Sequence, residues 1–179
     1  MHLSEKTIES EVVFDGKIIT VRKDKAQLED GTVADRELVV HSGGVCVVPL
    51  TEDNKVIMVR QFRYAFGEPL LEIPAGKLEV GEEHYSAAMR ELNEETGASC
   101  DALEYLGVCY PSVAYLTEKI HMYLARDLRF GKAKLDEGEF LDVTELPLEE
   151  AVQMVLDNKI PDAKTQIALL KTWHIVNNK

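Results

Sequence analysis

Residues 76–98 read GKLEVGEEHYSAAMRELNEETGA, and the spacing within this stretch decides what the chain builds. The segment 83–96 predicts a helix. Tyr85, Ala88, Met89, Leu92 and Thr96 recur at helical spacing along one face, and Gly97 stands where a left-handed C-terminal cap belongs. Glu91, Glu94 and Glu95 span about 100° of the helix surface, on a side largely opposite the apolar stripe. Like charges at i,i+3 and i,i+4 oppose helix formation by roughly 0.2–0.5 kcal/mol per pair. One reading is a solvated acidic face that Arg90 partly neutralises through its i,i+4 partner Glu94. The other is a site, because carboxylate oxygens are hard ligands suited to Mg²⁺ or Mn²⁺, whose charge reverses the repulsion.

Outward from the helix, the order of elements predicts a mixed α+β domain. The first forty residues alternate apolar and polar, with Asp15-Gly16 and Asp30-Gly31 as hairpin turns, giving a small antiparallel sheet with little core of its own. GGVCVVPL and KVIMVRQF read as a second antiparallel pair joined across Asp53-Asn54, and EPLLEIPAG adds a short strand ending at Pro74. Strands are expected again at 103–110, 119–126 and 139–144. Helices follow near 147–157 and 162–177, the last with Ile167, Leu170, Trp173 and Val176 at core spacing. The domain division that follows is 1–42 for the N-terminal sheet and 43–179 for the remainder.

The 179 residues carry a net charge of -12. A field of that sign disfavours nucleic-acid polymers and anionic membranes, while a small anionic ligand remains accessible through local arginines or cations. Cys46, Cys100 and Cys109 are odd in number, widely spaced and set in apolar runs, so buried reduced thiols are expected. MHLSEKTIES has neither a basic nor an apolar leader region, and no apolar run reaches the roughly 20 residues of a membrane helix. The expected compartment is the cytoplasm. His2, His41, His84, His121 and His174 show no metal-ligand spacing and are assigned to structure or surface.

Taken with its flanks, the acidic helix acquires a pattern. Gly76, Glu82, Arg90, Glu91, Leu92, Glu94, Glu95 and Gly97 match the Nudix box, G-x5-E-x7-R-E-U-x-E-E-x-G-U, at every fixed position, with Ala98 in place of a bulkier final aliphatic. The chain thus resembles the Nudix hydrolases. That resemblance implies an α/β/α sandwich around a mixed sheet and hydrolysis of a nucleoside diphosphate linked to another moiety. It implies Glu91 and Glu95 as main metal ligands, Glu94 as a further ligand or a support for water activation, Glu82 at an outer metal, and Arg90 orienting the glutamates.

Flanking residues narrow the resemblance to the ADP-ribose pyrophosphatase subfamily. Glu72-Ile73-Pro74-Ala75-Gly76 resembles its E-[LI]-P-A-G entry, where the carbonyl at Ala75 is implied as a metal ligand. Gln61-Phe62-Arg63 resembles a strand end whose arginine contacts a phosphate, and Arg36-Glu37 falls in a ligand-binding run of the N-terminal sheet. The alternatives are a strand-end surface arginine for Arg63 and a cross-strand ion pair for Arg36 and Glu37. Glu72 is equally a structural partner for Arg90 or a catalytic group. Asp136-Glu137-Gly138-Glu139-Phe140 resembles the acidic loop that supplies a catalytic base, with Glu139 aligned best and Glu137 in reserve. The subfamily exchanges its N-terminal sheet across a homodimer.

The resemblance therefore implies Mg²⁺-dependent cleavage of ADP-ribose to AMP and ribose 5-phosphate, with Mn²⁺ able to substitute. Another nucleoside-diphosphate sugar or a dinucleotide is the nearest alternative, and a non-catalytic ADP-ribose-sensing module is the alternative from another class. Two departures bear on specificity. The loop Tyr110-Pro111-Ser112-Val113-Ala114-Tyr115 carries its proline two places early, and Phe14 is the sole aromatic among the first forty residues.

Overall fold

The computed structural model describes residues 3–135 and 137–178, which group into two compact units. The first unit takes the chain up to Gly43 together with Tyr110–Lys119; the second takes Gly44–Cys109 and the chain from Ile120 onward.

The first unit is an antiparallel sheet of β1 (Lys6–Asp15), β2 (Ile19–Gln27) and β3 (Val33–His41) in that order. Both turns fall where the Asp-Gly pairs predict them. The Gly16 N–H donates to the Ile19 carbonyl at 3.0 Å, and Gly31 takes a φ of +86° while its N–H donates to the Leu28 carbonyl. Asp30 closes the second turn by accepting from the Thr32 N–H at 2.9 Å. The segment 110–119 adds to the sheet: the Val39 N–H donates to Tyr115 O at 2.7 Å, and the Thr117 N–H to Val39 O at 3.0 Å. Among the described residues of this unit, Ala26 is the only buried apolar side chain, and Ile8, Val12, Val13, Phe14, Ile18 and Val33 are each more than half exposed.

The second unit runs β4 (Gly44–Pro49), β5 (Lys55–Arg63), β6 (Glu68–Glu72), β7 (Ala75–Lys77), α1 (His84–Thr96), β8 (Ala98–Ser99), β9 (Leu103–Cys109), β10 (Ile120–Ala125), β11 (Arg129–Phe130), β12 (Leu141–Pro147), α2 (Leu148–Leu156) and α3 (Ala163–Asn177). Its main sheet has the order β7-β4-β10-β9 and is mixed, with β4 and β10 parallel and both outer pairs antiparallel. β12-β5-β6 form a second, antiparallel sheet, and β8 pairs with β11.

Alternation along β4 and β10 explains the layering. Val45, Val47, Tyr123 and Ala125 join Ala87, Ala88 and Leu92 of α1 in one apolar cluster. Cys46, Val48, Met122 and Leu124 join Leu148, Val152, Ala168 and Leu169 of α2 and α3 in another. A strand buried on both faces reads as an unbroken apolar run, which is why GGVCVVPL lacks alternation. The result is the helix–sheet–helix sandwich expected from the sequence. Each fully buried Leu-sized side chain contributes roughly 1.5–3 kcal/mol.

Three expectations are corrected. β4 and β5 do not form a hairpin ladder. An isolated bridge joins Leu50, just past β4, to Val56, and the two strands lie in different sheets, because β4 is flanked by β7 and β10 while β5 is flanked by β6 and β12. The face of α3 that faces inward is Thr165, Ala168, Leu169 and Thr172, with Ile167, Trp173 and Val176 packed at its margin and Leu170 exposed. On α1, Tyr85 lies exposed, and Glu95 is buried with Ala87, Ala88 and Leu92 rather than opposite them. Seven residues after Ala88, Glu95 returns to within about 20° of the same side.

The three cysteines are free and buried, as expected. The histidines also have structural surroundings. His84 and His121 stack with ring centroids 3.9 Å apart, His84 Nδ1 meets the Tyr123 hydroxyl, and His41 faces Glu118 at 3.5 Å; His2 lies outside the described residues. Among the described residues, no helix is long and apolar enough to cross a membrane.

Candidate active site

β7 brings the backbone of Ala75 and Gly76 against α1. It pairs with β4 through Cys46–Ala75, Val45–Gly76 and Gly44–Lys77. A Cβ at Gly76 would lie 1.9 Å from Glu91 Oε1, so glycine is what lets the Glu91 carboxylate rest on this strand. One residue earlier, the Ala75 N–H donates to Glu95 Oε2 at 3.1 Å. The left-handed cap at Gly97, φ +70°, ends α1 with its N–H on Asn93 O and fixes the register in which both glutamates face β7. The loop before α1 closes on itself, the Glu79 N–H donating to Glu82 Oε2 at 3.1 Å.

Arg90 gathers the remaining acids. Its Nε and Nη2 donate to the two oxygens of Glu82, each at 2.9 Å. Its Nη1 donates to Glu91 Oε1 at 2.8 Å and to Glu94 Oε2 at 2.9 Å. The guanidinium fork suits this work, since its planar donors can serve several carboxylates at fixed angles. Hydrogen bonding to Arg90 holds Glu82 below the usual carboxylate range. The same bonds, Glu82 first, outweigh burial and keep Arg90 firmly charged.

Glu95 and Glu91 lie in the opposite electrostatic situation. Burial pushes Glu95 up to about 8, and the charges of Glu91 and Glu139 add to it, against the Ala75 N–H and Arg63. Burial likewise raises Glu91, assisted by Glu94 and Glu139 and opposed by Arg90. Glu139 thus stands near enough to both to affect them, and its Oε1 accepts from Gln61 Nε2 at 3.3 Å. Glu137 is exposed in a turn where Gly138 takes φ +84°, and Asp136 lies outside the described residues.

Among the described residues, no group of three or more His, Cys, Asp or Glu side chains is drawn together closely enough to hold a metal ion on its own. Arg90 accounts for part of this, since it engages one oxygen each of Glu91 and Glu94 and both of Glu82. The donors nevertheless fit a divalent cation. A buried and a partly buried carboxylate whose ionisation is opposed by their surroundings, beside a strand backbone, are hard oxygen ligands short of positive charge.

A second ion cluster adjoins the first. Arg63, at the end of β5, donates from Nε and Nη2 to Glu72 Oε1 and Oε2 at 2.6 and 2.7 Å. Glu72 is therefore the partner of Arg63 and not of Arg90, correcting one of the two readings offered for it. Glu72 is only 2% exposed. Burial works to raise it, but Arg63 and Lys164 hold it below the usual carboxylate range. Lys164, in the first turn of α3, was not singled out by the sequence, because a lysine one helix away from the box carries no motif. Its Nζ lies 2.5 Å from Glu72 Oε2 and 3.0 Å from Asp162 Oδ2.

The predicted residues of the N-terminal sheet diverge. Arg36 pairs with Glu5, Nε to Oε2 at 2.8 Å and Nη2 to Oε1 at 2.6 Å. Glu37, on the opposite face of β3 as strand alternation requires, lines a cavity of about 560 Å³ with Val13, Val21, Arg22 and Tyr115. Tyr115 belongs to the loop whose displaced proline is noted above, and is an aromatic that the first forty residues did not offer.

A mixed sheet between helices, with a glutamate-bearing helix laid on a glycine strand, defines the fold of the Nudix class, and residues 40–170 match the NUDIX domain model. The chain belongs to the Nudix hydrolase family. Residues 5–39 match a second model, the nucleoside diphosphate sugar hydrolase N-terminal domain. The chain is 42% identical to the ADP-ribose pyrophosphatase of Bacillus subtilis (strain 168), covering 93% of this chain and 91% of that protein. It is also 42% identical to the methanol dehydrogenase activator of Bacillus methanolicus, covering 92% and 90%. Among solved structures, that of an ADP compounds hydrolase shares the fold with a TM-score of 0.85 at 23% identity, covering 97% of this chain and 95% of that one.

Proposed function

We propose that the protein hydrolyses the pyrophosphate bond of ADP-ribose to AMP and ribose 5-phosphate, using a divalent cation, Mg²⁺ with Mn²⁺ as a substitute. The observation that carries this reading is the pair of carboxylates Glu91, partly buried, and Glu95, buried, resting against the Ala75–Gly76 strand. The likeness to the Bacillus subtilis ADP-ribose pyrophosphatase supports the substrate. When bound, the cation neutralises pyrophosphate oxygens and lowers the pKa of a bound water. Glu91, Glu95 and the Ala75 carbonyl would hold it, with Glu94 and Glu82 serving further cations.

The chain's own groups supply the rest. Arg90 holds Glu82, Glu91 and Glu94 in orientation. Arg63 offers its guanidinium to a substrate phosphate. Glu139 takes the proton of the attacking water as a P–O bond forms and the bridging P–O bond breaks, and Glu137 is the reserve base. Arg36 and Glu37 contact the nucleotide from the N-terminal sheet.

In an assay coupled to phosphate release, ADP-ribose should be cleaved at least about tenfold more efficiently than GDP-mannose, UDP-glucose or NADH, and EDTA should abolish turnover. Equal rates across the panel would move the assignment to another nucleoside-diphosphate sugar or dinucleotide, and EDTA-resistant turnover would refute the cation requirement.

The N-terminal sheet, residues 1–42 of the domain division, is proposed to exchange across a homodimer, leaving 43–179 as the hydrolase domain. The exposure of Ile8, Val12, Val13, Phe14 and Ile18 supports a second copy as the covering partner. Light scattering should give twice the mass of the chain at micromolar concentration; a monomer mass would end this proposal.

A further inference from the structure

Lys164 lies outside the box, outside every motif around it, and yet closes an ion chain that reaches Arg63. Its side chain is 11% exposed and contacts Glu72 on one side and Asp162 on the other. Asp162 is itself fixed as the cap of α3, its Oδ2 accepting from the Thr165 N–H at 2.9 Å. The Thr165 hydroxyl in turn accepts from the Ile73 N–H at 3.1 Å, which pins the residue after Glu72 to the same helix turn. Lys164 and Glu72 are thus held in mutual position from both segments, the end of β6 and the first turn of α3.

Glu72 serves two cations with one carboxylate. Its two oxygens receive the Arg63 fork, and Oε2 also receives Lys164. Were Glu72 held by Arg63 alone, swinging that arginine toward another anion would leave a buried carboxylate without a counter-ion, the most costly state for an interior charge. With Lys164 in place, Glu72 keeps a partner when Arg63 departs. The Arg63 side chain is 37% exposed, so its outer edge already meets solvent.

We infer that Lys164 is a positioning residue that makes Arg63 exchangeable: it keeps Glu72 paired while Arg63 trades that carboxylate for a phosphate of the substrate. This rests on the reading of Arg63 as a phosphate-binding residue. Without Lys164, Arg63 becomes the sole counter-ion of Glu72 and is held from the substrate.

The test is the KM-against-kcat split with ADP-ribose. Lys164→Met should raise KM by about tenfold with kcat within about threefold, since one charge-assisted contact is at stake. Lys164→Arg, which restores the cation, should return KM to near the starting value. Glu72→Gln in the Lys164→Met background should lower KM again, because the tether on Arg63 has lost its charge; this pair also leaves no unpaired buried charge should the single variant fail to fold. A folded Lys164→Met with unchanged KM, an Arg variant as impaired as the Met variant, or a double variant with the KM of Arg63→Met overturns the role of Lys164 alone. An Arg63→Met variant with unchanged KM overturns the phosphate role of Arg63 and this inference with it.

Discussion

Glu95→Gln should lower kcat by about 10³-fold and at the same time stabilise the metal-free protein at alkaline pH. The two effects share one cause. Glu95 is 2% exposed, and burial, with the charges of Glu91 and Glu139, raises its pKa to about 8 from an ordinary 4.5. A carboxyl whose folded pKa is raised favours the folded state fully only below its unfolded pKa, and that contribution is lost as pH rises from about 4.5 through about 8. The glutamine keeps the shape and can still accept from the Ala75 N–H, but has no charge to bury and is a poor ligand. Melting curves in EDTA at pH 5, 7 and 9 should show the variant gaining on the parent protein as pH rises, by an amount on the order of a few kcal/mol at the top of the range. A stability difference that does not grow with pH, or a variant that retains kcat, would contradict the assignment of Glu95.

Arg90→Met should act in the other direction on stability and in the same direction on rate. The side chain carries hydrogen bonds to Glu82, Glu91 and Glu94. Its loss leaves three carboxylates facing one another around a methionine. Breaking a fully buried pair costs about 3–5 kcal/mol; with Arg90 27% exposed, screening reduces the expected loss to about 1–3 kcal/mol. Because a cation can replace part of the missing charge, the loss in melting temperature should be greater in EDTA than in millimolar Mg²⁺. The rate should fall about 10²-fold as the glutamates lose their common orientation. Arg90→Lys should recover little, since an ammonium cannot donate along the fork to three acids at once. A lysine variant of full activity would show that charge, and not geometry, is what Arg90 supplies.

The box was legible because its chemistry is local in sequence. Gly76, Glu82, Arg90, Glu91 and Glu95 lie on one strand, the loop after it and the helix that follows, so spacing alone brings them together. What escaped sequence reasoning depends on contacts between distant segments. In sequence the charge of Glu95 groups it with the acidic face, whereas its seven-residue return to Ala88 sets its direction in the fold. Asp53-Asn54 is a good turn and suggests a β4–β5 pair, whereas β4 takes its partners on both edges from elsewhere in the chain. Lys164 meets Glu72 across 92 residues of sequence, and Tyr115 joins Glu37 across a similar gap. Neither distance leaves a periodic trace. The buried face of α3 carries Thr165 and Thr172, and polar residues do not register in an apolar count.

The paired strands β4 and β10 have a consequence for how the chain can drift. Their alternate residues belong to two separate interiors, one shared with α1 and one shared with α2 and α3. A change of side-chain size at Val48, Met122 or Leu169 falls in the interior shared with α2 and α3, which meets the box strand at Ala75 and leaves the apolar face of α1 to the other interior. Side chains of the α3 half that stand away from Ala75 can therefore change size with less effect on the glutamate helix than those that touch it. Lys164, which stands on α3 yet answers to the site, is where that freedom should end.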